Sequence, residues 1–181
     1  MPKIVDHDKR RQEIALKATT VFLEHGYKNV GMRQLCDLLG MSKSAVYHYY
    51  KSKDELFKAA TEAMVSFDSD ALIDFPRTTD ASRSQRIDNF IAIFRQLSPR
   101  FFQEMQLVAD YIEVIGHENV SSDPSMNVAN QRYLALLNDY VCNTHSNELY
   151  TLMLGLLNHQ LMTGAELEDA YVSSLVGKHI A

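Results

Sequence analysis

The residues best equipped for chemistry in this chain lie close together: Lys43, Ser44, Tyr47 and His48, with Arg33 shortly before them and Lys53 shortly after. They bring amines, a guanidinium, hydroxyls and an imidazole, a set that donates and accepts hydrogen bonds. No acid, base or nucleophile is paired among them as a catalytic group would be. At helical spacing Lys43, Ser44, Tyr47 and His48 can face outward while Ala45, Val46 and Tyr49 face inward. A short helix with such an outer face suits a groove of duplex DNA, where Lys43 would reach guanine O6 or N7. Tyr47 offers a phenol on a rigid ring to a phosphate oxygen. Lys53, at the start of a helix, adds its charge to free backbone N–H groups and to the positive end of the helix dipole.

Local signals say which elements hold these side chains. Met32, Leu35, Cys36 and Leu39 recur at helical spacing, and Gly40 stops that helix in the left-handed conformation that glycine enters without a Cβ penalty. Ser42 then caps the helix bearing Lys43 to Tyr49. A longer helix precedes both, from His7 to His25, with Ile14, Ala18, Val21 and Phe22 inward and Gly26 at its end. Ser52 caps a further helix with Asp54 and Glu55 in its first turn. Its buried face, through Leu56, Phe57, Ala60, Met64, Phe67 and Ala71, continues toward Phe75, and Pro76 breaks it. Beyond a polar segment the pattern predicts Arg83 to Leu97, with Ile87, Phe90, Ile91 and Phe94 inward, then Pro99 to Ile115 behind Ser98. A loop from Gly116 to Asp123, a helix from Pro124 to Cys142, one from Ser146 to Thr163, and after Gly164 a last one from Glu166 to Lys178 complete the chain. The expectation is an all-α protein of about nine helices: a three-helix, helix-turn-helix DNA-binding domain over residues 1–52, and a helical domain over 53–181, linked by the helix from 53 to 75.

Composition agrees with helices, since 181 residues hold only 7 glycines and 4 prolines. The net charge of -5 argues against nucleic acid until it is divided. Residues 1–60 carry 11 Lys and Arg against 7 Asp and Glu, and the remainder 7 against 16, so the basic charge sits with the turn motif. Phosphate neutralisation is local under physiological screening, and an acidic distal part does not prevent it. The polar start and the lack of any apolar run of membrane-spanning length lead to the expectation of a cytoplasmic protein with no membrane partner. Cys36 and Cys142 lie far apart in helical patterns and read as small core residues.

A first helix ending in Gly26-Tyr27, the sequence Arg33-x-Leu35, and the string LGMSKSAVYHYYKSKDELF from Leu39 to Phe57 together resemble the tetracycline-repressor (TetR) family of bacterial transcriptional regulators. The resemblance covers roughly residues 10 to 60. It implies a homodimer with a three-helix DNA-binding domain on each copy. The family's phosphate clamp falls on Tyr47 and Lys53, and its reading face on Lys43, Ser44 and His48, with Ser42 in the same motif and Arg33 at a position that often meets DNA. One departure stands out: Gly31 replaces the usual serine or threonine before the Arg33 helix, removing an N-cap hydroxyl.

The resemblance further implies a ligand-binding and dimerisation domain. It places the dimer interface on the last two helices, where Leu149, Leu152, Met153, Leu156, Leu157, Leu161, Tyr171 and Leu175 give ample apolar surface; the alternative is that these face the core of their own chain. A cavity for an unidentified small-molecule effector is expected among Phe90, Phe94, Phe101, Met105, Tyr111, Tyr133 and Tyr140, although such a stripe is more often core. Tyr47-x-x-x-Lys51 has an oxidoreductase spacing but no glycine-rich strand-turn-helix before it. His117 with Glu118, and His145, Glu148 and His159, match no compact metal signature. The reading is a sequence-specific regulator, a ligand-responsive repressor on a near-palindromic double-stranded DNA operator, without enzymatic activity, metal or cofactor. Its alternative is a DNA-bound structural or cell-division factor on the same scaffold, with a protein as its partner.

Overall fold

The computed structural model describes residues 6–180, leaving aside the side chains of Val65, Phe67 and Ser69. Among the described residues the chain forms nine α-helices: α1 (His7–His25), α2 (Met32–Leu38), α3 (Lys43–Tyr49), α4 (Lys53–Asp70), α5 (Arg83–Leu97), α6 (Phe101–Ile115), α7 (Pro124–Tyr140), α8 (Ser146–Thr163) and α9 (Asp169–Val176). Short 3-10 turns at Ser98–Arg100 and His117–Ser122 replace the plain starts and loops that the sequence suggested there. None of the described helices is long and apolar enough to cross a membrane.

The chain divides into two compact units, and they do not follow the linear division at residue 52. The first, here the head, comprises the chain up to Phe67 together with Gln103–Ala129; the second, the body, comprises Asp68–Phe102 and Asn130–Ala181. In the head, Ile14, Ala18 and Phe22 of α1 pack with Leu35 and Cys36 of α2, Val46 of α3 and Leu56 and Phe57 of α4 in one core. Leu107 and Tyr111 of α6 belong to that same core, so the three-helix motif is completed by residues far along the chain. Burying such a set supplies most of the stability of helices as short as α2 and α3.

Caps set the ends. Asp6 accepts a bond from the Lys9 amide at 3.1 Å at the start of α1. The turn from α2 to α3 is a Schellman motif: the Gly40 amide donates to the Asp37 carbonyl at 3.1 Å and the Met41 amide to the Cys36 carbonyl at 3.0 Å, with Gly40 at φ 64°. Gly26 has both a positive φ of 78° and a neighbour, Asp110 Oδ2, only 3.0 Å from where a Cβ would stand.

In the body, Phe90, Ile93 and Phe94 of α5 form a core with Leu149, Met153, Leu156 and Leu157 of α8 and Val172 and Val176 of α9. Ile93 takes the inward position expected of Ile91, which lies half-buried at the edge of the stripe. The buried Asn89 amide donates to the Pro76 carbonyl at 2.9 Å and to the Tyr140 carbonyl at 2.8 Å, fastening the segment before α5 to the end of α7. Asp68, 1% exposed, receives Gln96 Nε2 at 3.0 Å, Tyr133 Oη at 3.2 Å and an ion pair from Arg100. Several elements stop earlier than expected. α4 ends at Asp70 rather than Phe75, because Asp70 and Leu72 carbonyls accept from Ile73 and Phe75 amides in successive turns that bring Leu72 into the core. α7 ends at Tyr140, and α9 spans only Asp169–Val176.

The residues expected at a dimer seam divide into three sets. Leu149, Met153, Leu156 and Leu157 are buried inside their own unit, Leu152 and Leu175 are half-buried, and Leu161 and Tyr171 are 39% and 45% exposed. Periodicity finds an apolar stripe on α8; which of its two edges meets the chain's own core is set by α5 and α9. The exposed edge is instead Leu154, Leu161 and Met162.

Candidate nucleic-acid interface

The candidate interface is the outer face of α3, and its backbone is fixed at both ends. At the N-terminus the Ser42 hydroxyl accepts from the Ala45 amide at 3.2 Å and lies 3.1 Å from the Ser44 hydroxyl. Ser42 is thus a capping residue whose side chain is already engaged. At the C-terminus Arg11, Tyr50 and Lys51 converge. Arg11 of α1 donates to the Tyr49 carbonyl and, at 2.7 Å, to the Glu55 carboxylate of α4. The buried Tyr50 phenol donates back to the Arg11 carbonyl at 2.8 Å, with the Arg11 guanidinium 4.2 Å from the Tyr50 ring centre. Lys51 Nζ donates to the Tyr47 carbonyl at 3.3 Å. Arg11 therefore ties α1, α3 and α4 together at the point where a free helix end would fray.

Glu55 closes the start of α4. Its amide donates to the Ser52 hydroxyl at 3.0 Å while its carboxylate accepts from the Lys51 amide at 2.8 Å, a reciprocal arrangement close to a capping box. The hydrogen bond from Arg11, helped by the Lys51 amide, holds the Glu55 carboxyl below its usual range and raises Arg11 further. Burial raises the phenol of Tyr50 and the thiol of Cys36, leaving both neutral packing groups.

With the backbone held, Lys43, Ser44 and His48 stand exposed and Tyr47 half-exposed. Lys43 Nζ lies 5.5 Å from the Tyr47 ring centre, and the His48 ring packs edge-on to Tyr49 at 4.9 Å with His7 of α1 beside it at 5.7 Å. Arg33 is exposed on α2. Within the described residues, the Lys43 ammonium, the Tyr47 hydroxyl and the Arg33 guanidinium have no hydrogen-bond partner. α3 has no acidic residue. Gly31 caps α2 without a side-chain bond, as its substitution for a hydroxyl residue implies.

Lys53 is placed differently from a free surface lysine. Its ammonium donates to the Tyr27 carbonyl at 3.0 Å and lies 4.0 Å from the Tyr27 ring centre. Of the residues expected around an effector, Phe90, Phe94, Phe101, Tyr133 and Tyr140 fall in the body; Met105 and Tyr111 fall in the head. Tyr111 is buried there against Tyr27 and Phe57. Among the described residues no three His, Cys, Asp or Glu side chains are arranged to hold a metal ion.

Sequence reasoning missed Arg11, Tyr27 and Glu55. Ser52-x-x-Glu55 is a visible capping signature. Arg11 and Tyr27 act through partners distant in sequence, which no local spacing reveals.

Comparison with known proteins adds to this geometry. Residues 14–60 match the family model described as bacterial regulatory proteins, tetR family. Over 60 residues the chain is 40% identical to the HTH-type transcriptional regulator PksA of Bacillus subtilis, a match covering 33% of this chain and 29% of that protein. It is 42% identical over 50 residues to the HTH-type transcriptional repressor AcnR of Corynebacterium diphtheriae, covering 28% and 26%. The matched region thus spans less than a third of either relative. The fold extends further: the transcriptional regulator FadR from Bacillus subtilis, solved in complex with stearoyl-CoA, aligns over 92% of this chain and 95% of its own with a TM-score of 0.62 at 13% identity.

Proposed function

We propose that this chain, whose residues 14–60 match the model of the tetR family of bacterial regulatory proteins, is a ligand-responsive transcriptional repressor that binds a near-palindromic operator as a homodimer. The observation that carries this reading is the α3 face, where Lys43, Ser44 and His48 are exposed on a backbone pinned by Ser42 and Arg11. Lys43, Ser44 and His48 meet base edges in the major groove; Tyr47 and Lys53 meet phosphate, with Arg33 at the flank and Ser42 holding the helix start. Two copies of α3 about one DNA turn apart, roughly 34 Å, engage successive grooves.

The exposed edge of α8, with Leu154, Leu161 and Met162, and Tyr171 of α9 offer the apolar surface that a second copy would cover. The effector is met in the body by the aromatic layer of Phe90, Phe94, Phe101 and Tyr140, with the Tyr133 phenol and its partner Asp68 as polar points. A fold neighbour that holds stearoyl-CoA supports a ligand role for this architecture. The effector must bind two conformers unequally, since equal binding switches nothing.

Footprinting the genomic DNA bound by the full chain tests the reading. A two-fold site is expected, and Lys43→Ala should relax discrimination at particular bases by about 1–3 kcal/mol each. Recovery of unrelated sequences with no shared site would overturn it.

A further inference from the structure

The Lys53 ammonium has three N–H donors; the Tyr27 carbonyl takes one and leaves two for an anion. Held also over the Tyr27 ring, Lys53 has already given up rotamer freedom that a mobile lysine loses on meeting a phosphate. Tyr27 is in turn held from α6. The Tyr111 ring meets it edge-on at 4.8 Å, and Phe57 lies 4.8 Å from Tyr27 and 4.5 Å from Tyr111. The Tyr27 hydroxyl donates to Asp54, the residue after Lys53. The Tyr111 hydroxyl donates to Asp123 Oδ2 at 3.0 Å, and the other oxygen of that carboxylate accepts from the Ser125 and Met126 amides at 2.9 Å. Beside Tyr27, the Lys28 amide donates to Asp110 and Lys28 Nζ reaches Glu113 at 2.9 Å, both on α6. Burial pushes the Tyr111 phenol up to about 12 and the Tyr27 phenol upward as well, so both hydroxyls keep their protons at physiological pH.

From this arrangement we infer that Tyr111 is a positioning residue for DNA binding, fixing Tyr27 and through it the Lys53 ammonium that meets phosphate. The inference rests on Lys53 being a phosphate ligand. α6 then sets DNA affinity without touching DNA, and loss of the Tyr111 ring lets Tyr27 turn and Lys53 swing away.

The test uses the full chain and a short duplex of random sequence, titrated from about 50 to about 200 mM salt. Lys53→Ala should weaken binding on the order of tenfold and lower the salt slope by about one. Tyr111→Leu should reproduce both effects and add nothing to Lys53→Ala, whereas Tyr111→Phe should bind like wild type; Tyr111→Met replaces the leucine variant if that fails to fold. In the folded protein the Lys53 ε-methylene protons should carry an upfield ring-current shift that the leucine or methionine variant loses. Weakened binding by Lys53→Ala with unchanged binding by the Tyr111 variants, or losses that multiply in the double variant, overturns the inference alone. An unchanged Lys53→Ala overturns the phosphate role and the inference together.

Discussion

The head and the body spend their charged side chains in opposite ways. In the head, Arg11, Glu55 and Lys53 bond to backbone carbonyls, amides and one another around α3 and the start of α4, leaving the polar face of α3 open. In the body, Arg100 pairs with Asp68, Arg77 with Asp139 and Arg95 with Asp169, joining helices and segments of the unit to each other. One network presents a surface; the other fastens elements of the body together, with the Asp68 carboxylate that pairs with Arg100 buried. Substitutions should therefore separate binding from stability according to the unit they fall in.

The largest expected effect is in the body. Asp68→Ala removes a buried carboxylate that pairs with Arg100 and accepts from Gln96 and Tyr133, at a cost of about 3 kcal/mol. Urea unfolding measures it, and the salt slope for DNA should not change in the protein that remains folded. A changed slope would erase the contrast between the two units.

Arg11→Ala should cost less, about 1–2 kcal/mol, because its partners are half-exposed, yet it should impair DNA binding by freeing the end of α3. Stability lost without any loss of DNA affinity would mean that α3 needs no such pinning.

Protonation should sharpen the same contrast. The Glu55 carboxyl is held low, so its contribution is complete above the unfolded value of about 4.3 and is lost as pH falls through its lower folded value. The Tyr111 phenol is raised to about 12, so its contribution is complete below about 10 and is lost as pH rises toward the folded value. Circular dichroism across both ranges should show Glu55→Gln flattening only the acid limb and Tyr111→Phe only the alkaline one.

The smallest effect is a gain. Gly31 has the extended backbone of an N-cap, φ -86° and ψ 162°, and no atom lies within 4 Å of where a Cβ would stand. Gly31→Ser should stabilise the head by a few tenths of a kcal/mol through a new cap on α2. Thermal unfolding reads this, and a loss instead would show that the serine hydroxyl finds no amide.

The two units also differ in how far the sequence disclosed them. α1 and α8 have the expected ends because their stops are local, Gly26 and Gly164. The exposed face of α3 was legible for the same reason, since Ser42, Gly40 and the spacing of buried Val46 against exposed Lys43 and His48 act within a few residues. Local pattern did not reveal that Tyr111 belongs to the head, because that requires knowing which distant helix covers Tyr27 and Phe57. Nor did it separate Leu149 and Met153, which are buried, from Leu161 and Met162, which are exposed. Both edges of α8 are apolar, and the distinction comes from packing on α5 and α9. Lys53 shows an intermediate case: its place at the head of α4 was readable, but its bond to the Tyr27 carbonyl was not.

Hydrogen–deuterium exchange of the full chain with and without duplex DNA tests the division between the units most directly. Protection is expected at the end of the Gly40 turn, through α3 and into the first turn of α4, with the backbone of α8 and α9 unchanged by DNA alone when the oligomeric state is held constant. Protection centred on α8 and α9, with none on α3, would contradict it.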